Sequence, residues 1–122
     1  MAEEAYKVLK LPPEHPIDAP VPGKPWEENG VTPLAKCAME NKLEEAEALI
    51  AAGANLESLN RWQDTPLILA CVNWNGDLAK MLIAKSANIN AKNDRNETPL
   101  KMARTRQLTE VVEILEEKGA QE

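Results

Sequence analysis

Apolar residues in this chain fall into two alternating kinds of cluster. One is short and nearly unbroken, as in residues 66–73 (PLILACVN), and predicts a helix of about two turns. The other is longer and mixes acidic with apolar positions, as in residues 43–52 (LEEAEALIAA), a second helix with Leu49 and Ile50 on its apolar face. Each short cluster is introduced by Thr-Pro-Leu, at residues 32–34, 65–67 and 98–100, a spacing of 33 residues both times. The local chemistry agrees with the pattern. A threonine hydroxyl caps a helix N-terminus, and proline suits the first helical position, where no amide donor is needed. Gly53 is placed to end the second helix in a left-handed cap, and an extended loop over residues 55–64 leads to the next threonine.

More follows in register. Gly53-Ala54-Asn55, Ser86-Ala87-Asn88 and Gly119-Ala120 stand at the same distance after their own threonine, as do the acids Glu44, Asp77 and Glu110. A strict period of this size marks a stack of repeated units, here about 30–62, 63–95 and 96–122. On the three Thr-Pro-Leu triplets, on Ala38, Ala70 and Ala103, and on the Gly-Ala or Ser-Ala pairs, the chain resembles the ankyrin repeat family over roughly residues 26–122. That resemblance implies an all-α helical solenoid with short turn-tipped finger loops, and a protein-binding role for its concave face. Departures from the family pattern carry expectations of their own. The histidine that follows Thr-Pro-Leu in the family is Ala35, Ile68 and Lys101 here, which predicts looser stacking between loops. The glycine between the two helices is Asn41, Trp74 and Gln107. Tryptophan adopts a left-handed backbone reluctantly, so the middle turn is expected to shift by a residue or two toward Asn75-Gly76. No further repeat follows the third Gly-Ala pair, and Glu110, Glu113, Glu116, Glu117 and Lys118 are expected to solvate the outer face of the last helix.

Residues 1–29 differ in character: six of the nine prolines lie between Pro12 and Pro25. A short helix near residues 3–10 and then an extended arm are expected, with Val8, Leu9, Leu11, Ile17 and Val21 lying against the first repeat and covering its apolar face. The stretch from Lys10 to Pro16 also fits a proline-rich ligand for an SH3-type groove, a short pattern that arises often by chance.

Composition narrows the function classes. There is no Phe and one Tyr, so the core is aliphatic, and close-packed helices use such residues well. A net charge of −6 disfavours wholesale binding to nucleic acid or anionic membrane. The opening MAEEAYK shows no targeting signal, and no apolar run is long enough to span a bilayer. Cys37 and Cys71 are expected reduced and buried, consistent with cytoplasm. The glycines are isolated, so no phosphate-binding loop is formed. The sole histidine, His15, lies in the arm, away from either thiol and from any cluster with metal-ligand spacing. No cofactor, metal or enzymatic activity is expected.

Carried over onto this sequence, the variable surface positions of the resembled family select Met39, Arg61, Trp62, Asp64, Asn73, Trp74, Arg95, Glu97 and Arg106 as candidate partner-binding residues. Trp and Arg are the types enriched at binding hot spots. Trp62 at a loop tip is read as a contact residue, the alternative being packing on the proline arm. Trp74 either faces a partner or plugs a gap beside Met39 or Thr105. Trp26 is expected to pack locally at the start of the stack. Lys101, Arg104 and Arg106, with Arg95 and Arg61, form either a basic stripe or ion pairs with Glu97, Asp94 or Glu113. The expected function is non-covalent binding of another protein by a chain that is monomeric when free, acting as an inhibitor or immunity-type antidote. The alternatives are an adaptor subunit and a self-associating structural unit.

Overall fold

The computed structural model describes residues 16–122. The helix expected near residues 3–10, the apolar residues Val8, Leu9 and Leu11, His15, and all of the Lys10–Pro16 motif except Pro16 lie outside the described residues. Six helices and no strand stand among the described residues. They are α1 (Pro33–Glu40), α2 (Leu43–Ala51), α3 (Pro66–Val72), α4 (Gly76–Ala84), α5 (Pro99–Thr105) and α6 (Thr109–Glu117). Helices α1, α3 and α5 stack in an inner row and α2, α4 and α6 in an outer one, with the core between the rows and between successive repeats. Leu34, Leu49, Leu67, Ile68, Leu78, Leu82, Val111 and Leu115 are its largest buried aliphatics.

The inner helices begin as their sequence requires. The hydroxyl oxygens of Thr32, Thr65 and Thr98 accept from the amides of Ala35, Ile68 and Lys101 at 3.2, 3.3 and 3.1 Å, with proline at the first helical position each time. The outer helices have no side-chain cap. Instead they carry Glu44 and Glu45, Asp77 and Glu110 in their first turns, where a negative charge complements the exposed amides.

Three residues in each repeat are left-handed, and they recur in register. Gly30, Gln63 and Asn96 lie at the finger tips, with φ of 67°, 64° and 65°. Asn41, Trp74 and Gln107, at 57°, 61° and 58°, separate the inner helix from the outer. Gly53, Ser86 and Gly119, at 98°, 71° and 79°, end the outer helix. Each of this last set closes the helix by a pair of bonds, as where the Gly53 amide donates to the Ile50 carbonyl and the Ala54 amide to the Leu49 carbonyl. The middle turn does not shift away from Trp74 as its bulk suggested. The Asn75 amide donates to the Ala70 carbonyl at 2.8 Å, and the buried Asn75 side chain donates to the Ala38 carbonyl of the preceding repeat. Moving the turn would break both bonds, and those constraints override the local reluctance of tryptophan.

The N-terminal arm covers the first repeat. Val21 is buried, its amide donates to the Val31 carbonyl at 2.7 Å, and Ile17 packs partly buried against the core. Asp18 accepts from the Asn55 amide at 2.8 Å. One repeat later Glu57 accepts from the Asn88 amide, and one further Asn90 accepts from the Gln121 amide, both at 2.9 Å. The arm thus supplies to the first repeat the acceptor that each repeat supplies to the next. Trp26 packs locally and partly buried, with the Lys36 ammonium 5.1 Å from its ring centre.

Ser86 is the exposed left-handed residue whose register neighbours are both glycine. Ser86→Gly relieves its backbone cost and is expected to stabilise the fold by about 0.5–1 kcal/mol, whereas Gly53→Val destabilises it by at least about 1 kcal/mol. Urea unfolding of both variants checks the pair.

Candidate functional site

The finger loops are built on asparagine. At each of the second and third tips the chain makes a tight turn, Gln63 donating to the Asn60 carbonyl and Asn96 to the Asn93 carbonyl, both at 3.0 Å. A left-handed residue then re-aims the strand-like return, as in a three-residue hairpin loop. Asn60 Oδ1 accepts from the amides of Trp62 and Asp64, and Asn93 Oδ1 from those of Arg95 and Glu97, all at 2.9 Å. Successive fingers are tied backbone to backbone. The Arg61 amide donates to the Asn29 carbonyl at 2.8 Å and the Asp94 amide to the Trp62 carbonyl at 3.0 Å.

Side chains add to this. Asn93 Nδ2 donates to Asp64 Oδ1 at 2.8 Å and to Glu97 Oε1 at 2.7 Å, while Asn60 Nδ2 donates to Asp64 Oδ2 at 3.1 Å. Thr32 and Ser58 share a hydroxyl hydrogen bond at 3.1 Å. The looser stacking expected from the missing histidine is therefore corrected: asparagine and hydroxyl bonds link the loops in its place. Asn60 and Asn93 were not among the candidate residues. Their recurrence 33 residues apart, three positions before each left-handed tip, was the signal available.

Above this base lies a cleft of about 200 Å³ lined by Trp62, Leu69, Val72, Asn93 and Arg95, with Asp64 and Glu97 at its floor of hydrogen bonds. Trp62 is 38% exposed, and the Arg61 guanidinium lies 5.9 Å from its ring centre. Among the described residues the cleft is lined from the second and third fingers and α3, and no described residue of the proline arm is part of its lining. Across the inner helices, on the opposite rim, Trp74 is 62% exposed, with the Arg106 guanidinium stacked 4.6 Å from its ring centre. Arg106 Nε donates to the Val72 carbonyl at 3.0 Å, joining this rim to the cleft. Trp74 is thus an exposed platform and not a plug beside Met39 or Thr105.

The remaining candidates divide. Asp64 and Glu97 have their carboxylates turned into the finger network. Asn73 donates its side-chain amide to the Leu69 carbonyl at 2.8 Å, completing the end of α3. Met39 packs half-buried on the first repeat, away from the cleft. Arg104 leaves the expected basic stripe. Its guanidinium bonds Glu116 at 3.0 Å and also Glu122, not Glu97, Asp94 or Glu113. Arg104 stands in register with the buried Ala38 and Cys71, and Glu116 with the buried Ile83, so the outer face of the third repeat carries an ion pair where the second has apolar side chains.

Both thiols are free and buried, and burial pushes each up to about 12. Near neutral pH both thiols are therefore held protonated, the less nucleophilic form. Among the described residues no group of His, Cys, Asp or Glu is arranged to hold a metal ion. No helix among them is long and apolar enough to cross a membrane. A family model described as ankyrin repeats, three copies, matches residues 9–93 and residues 34–122. No curated protein matches the chain.

Two outcomes follow. Asn93→Ala removes four hydrogen bonds at one point and is expected to cost about 2–3 kcal/mol in chemical unfolding. The native protein at pH 8 is expected to leave Cys37 and Cys71 unmodified by a disulfide reagent that titrates both in denaturant; fast reaction of the native state contradicts the burial argument.

Proposed function

Because the chain belongs to the ankyrin repeat family, whose repeats mediate binding between proteins, we propose that its concave face holds a partner protein against the cleft between the second and third fingers. The observation that carries this reading is the placement of Trp62 and Trp74. Both are exposed on opposite rims of the inner-helix row, each with a guanidinium against its ring. Exposed indoles contribute nothing to the core, and Trp with Arg is the pairing that gives binding hot spots their area and hydrogen bonds. Trp62, Arg61, Arg95, Trp74 and Arg106 are the proposed direct contacts. Asp64, Glu97 and Asn73 position them, and Met39 extends the surface toward the first repeat.

A protein of this kind acts by occupying its partner, and we favour an inhibitor or antidote role over an adaptor, since one continuous face is offered. Self-association by end-to-end stacking is opposed by charge. A copy docking on the outer face of the third repeat would bury the Arg104–Glu116 pair, and the desolvation of two charges opposes that.

The test is capture of partners from a lysate by the wild-type protein, a Trp62→Ser, Arg61→Ser double variant and a Glu117→Ser control on the exposed end of α6, with circular dichroism confirming that all are folded. The double variant is expected to retain the partner at least about tenfold less well, the scale of one lost hot spot, and the control to retain it fully. Equal retention by all three sinks the concave-face reading.

A further inference from the structure

The charged groups around the cleft are not symmetrically placed. Its two acids are committed inward: both oxygens of Asp64 accept from Asn60 and Asn93, and Glu97 accepts from Asn93. Its cations are committed to nothing negative. Among the described residues Arg61, Arg95 and Arg106 have no carboxylate within ion-pair distance, whereas Lys24 and Lys36 each have one and Lys80 and Arg104 each have two. Lys101, exposed on α5, is likewise unpaired. Asp94 is the exposed acid at the finger tips that stands against this set.

Arg106 is the most ordered of the three. It is half-buried, its flat face lies on Trp74, and its Nε is tied to the Val72 carbonyl. The edge formed by its two terminal nitrogens has no partner among the described residues. A guanidinium held in this way has already lost its rotamer freedom, and the free edge matches the two oxygens of a carboxylate. Arg95 lines the cleft together with Leu69, Val72 and the Trp62 ring, and Arg106 reaches its edge through the Val72 carbonyl.

We propose that the partner segment held on this face is an acidic protein segment in which carboxylates flank an apolar side chain. The apolar side chain enters the cleft against Trp62, Leu69 and Val72. One carboxylate takes the free edge of Arg106, and another takes Arg95 on the finger rim. This rests on the reading of the concave face as the binding face, and adds the chemistry of what it binds.

The experiment titrates isotope-labelled protein with four probes: a short peptide of leucine flanked by glutamates, its glutamine counterpart, its lysine counterpart, and a single-stranded oligothymidine. The glutamate peptide is expected to move the Trp62 and Trp74 indole and Arg106 Nε resonances. It should bind about tenfold more tightly than the glutamine peptide and weaken as salt is raised. Arg106→Gln should cost about tenfold of that affinity with the melting temperature little changed, and Arg106→Lys should restore only part of it.

Equal binding of the glutamate and glutamine peptides, tighter binding of the lysine peptide or the oligothymidine, or no binding of any probe overturns the proposal. Failure here and failure of the underlying reading are separable. A cellular partner lost by the Trp62→Ser, Arg61→Ser variant but indifferent to Arg106→Gln and to salt removes the acidic segment and leaves the face. A partner indifferent to the Trp62 variant removes the face itself.

Discussion

Stacking demands that the chain return, every 33 residues, to a position one repeat further on, and this return depends on three left-handed residues in each unit. One reverses the finger tip, one turns the inner helix into the outer, and one releases the outer helix into the next loop. Every other feature is hung on those reversals. They let the threonine-capped helices start in register, bring the leucines of neighbouring repeats into one core, and set the fingers close enough for backbone bonds to pass from Asn29 to Arg61 and from Trp62 to Asp94. Six of the nine positions are not glycine, and each of these carries a backbone cost, least at Asn41 and Asn96, that packing and capping bonds must offset.

The same periodicity makes departures easy to interpret. Where three registers agree, as in the threonine caps, the position serves the stack. Where they differ, it serves something else. Asn29, Trp62 and Arg95 share one finger-tip register, and Glu40, Asn73 and Arg106 another at the end of the inner helix. Around the fixed frame these positions change size and charge freely, and among the described residues they concentrate exposed indoles and guanidinium groups without a carboxylate partner on the second and third fingers and the ends of α3 and α5. The start of the stack is quieter: Trp26 is packed down, and Lys36 is held by that ring and by Glu40. The proposed contact surface is therefore off-centre, toward the end of the stack away from the described part of the N-terminal arm.

Local chemistry made much of this legible in advance. Thr-Pro-Leu announces a capped helix without any knowledge of neighbours, a glycine before alanine announces a helix end, and an aliphatic composition announces a helical core. Trp62 was placed at a loop tip by counting residues alone. What could not be read this way involved partners one repeat distant. Asn93 looks like an ordinary loop residue until Asp64 lies beside its amide. Arg104 looks like part of a basic stripe until Glu116 and Glu122 reach it from α6 and beyond. Trp74 looks unsuited to its turn until the bonds of Asn75 are seen to hold the turn in place.

The amino-acid sequence by itself determined the period, the helix starts and stops, the buried aliphatic positions and the family, because these depend on residues within a turn or two of each other or on exact repetition. Tertiary structure alone decided which charges are spent and which remain free. Ion pairs and amide bonds form between residues that stacking brings together across about 30 positions of chain, and no local pattern records them. The distinction between a carboxylate turned into the finger base and a guanidinium left open on an indole is made only there, and the proposed binding chemistry depends on it.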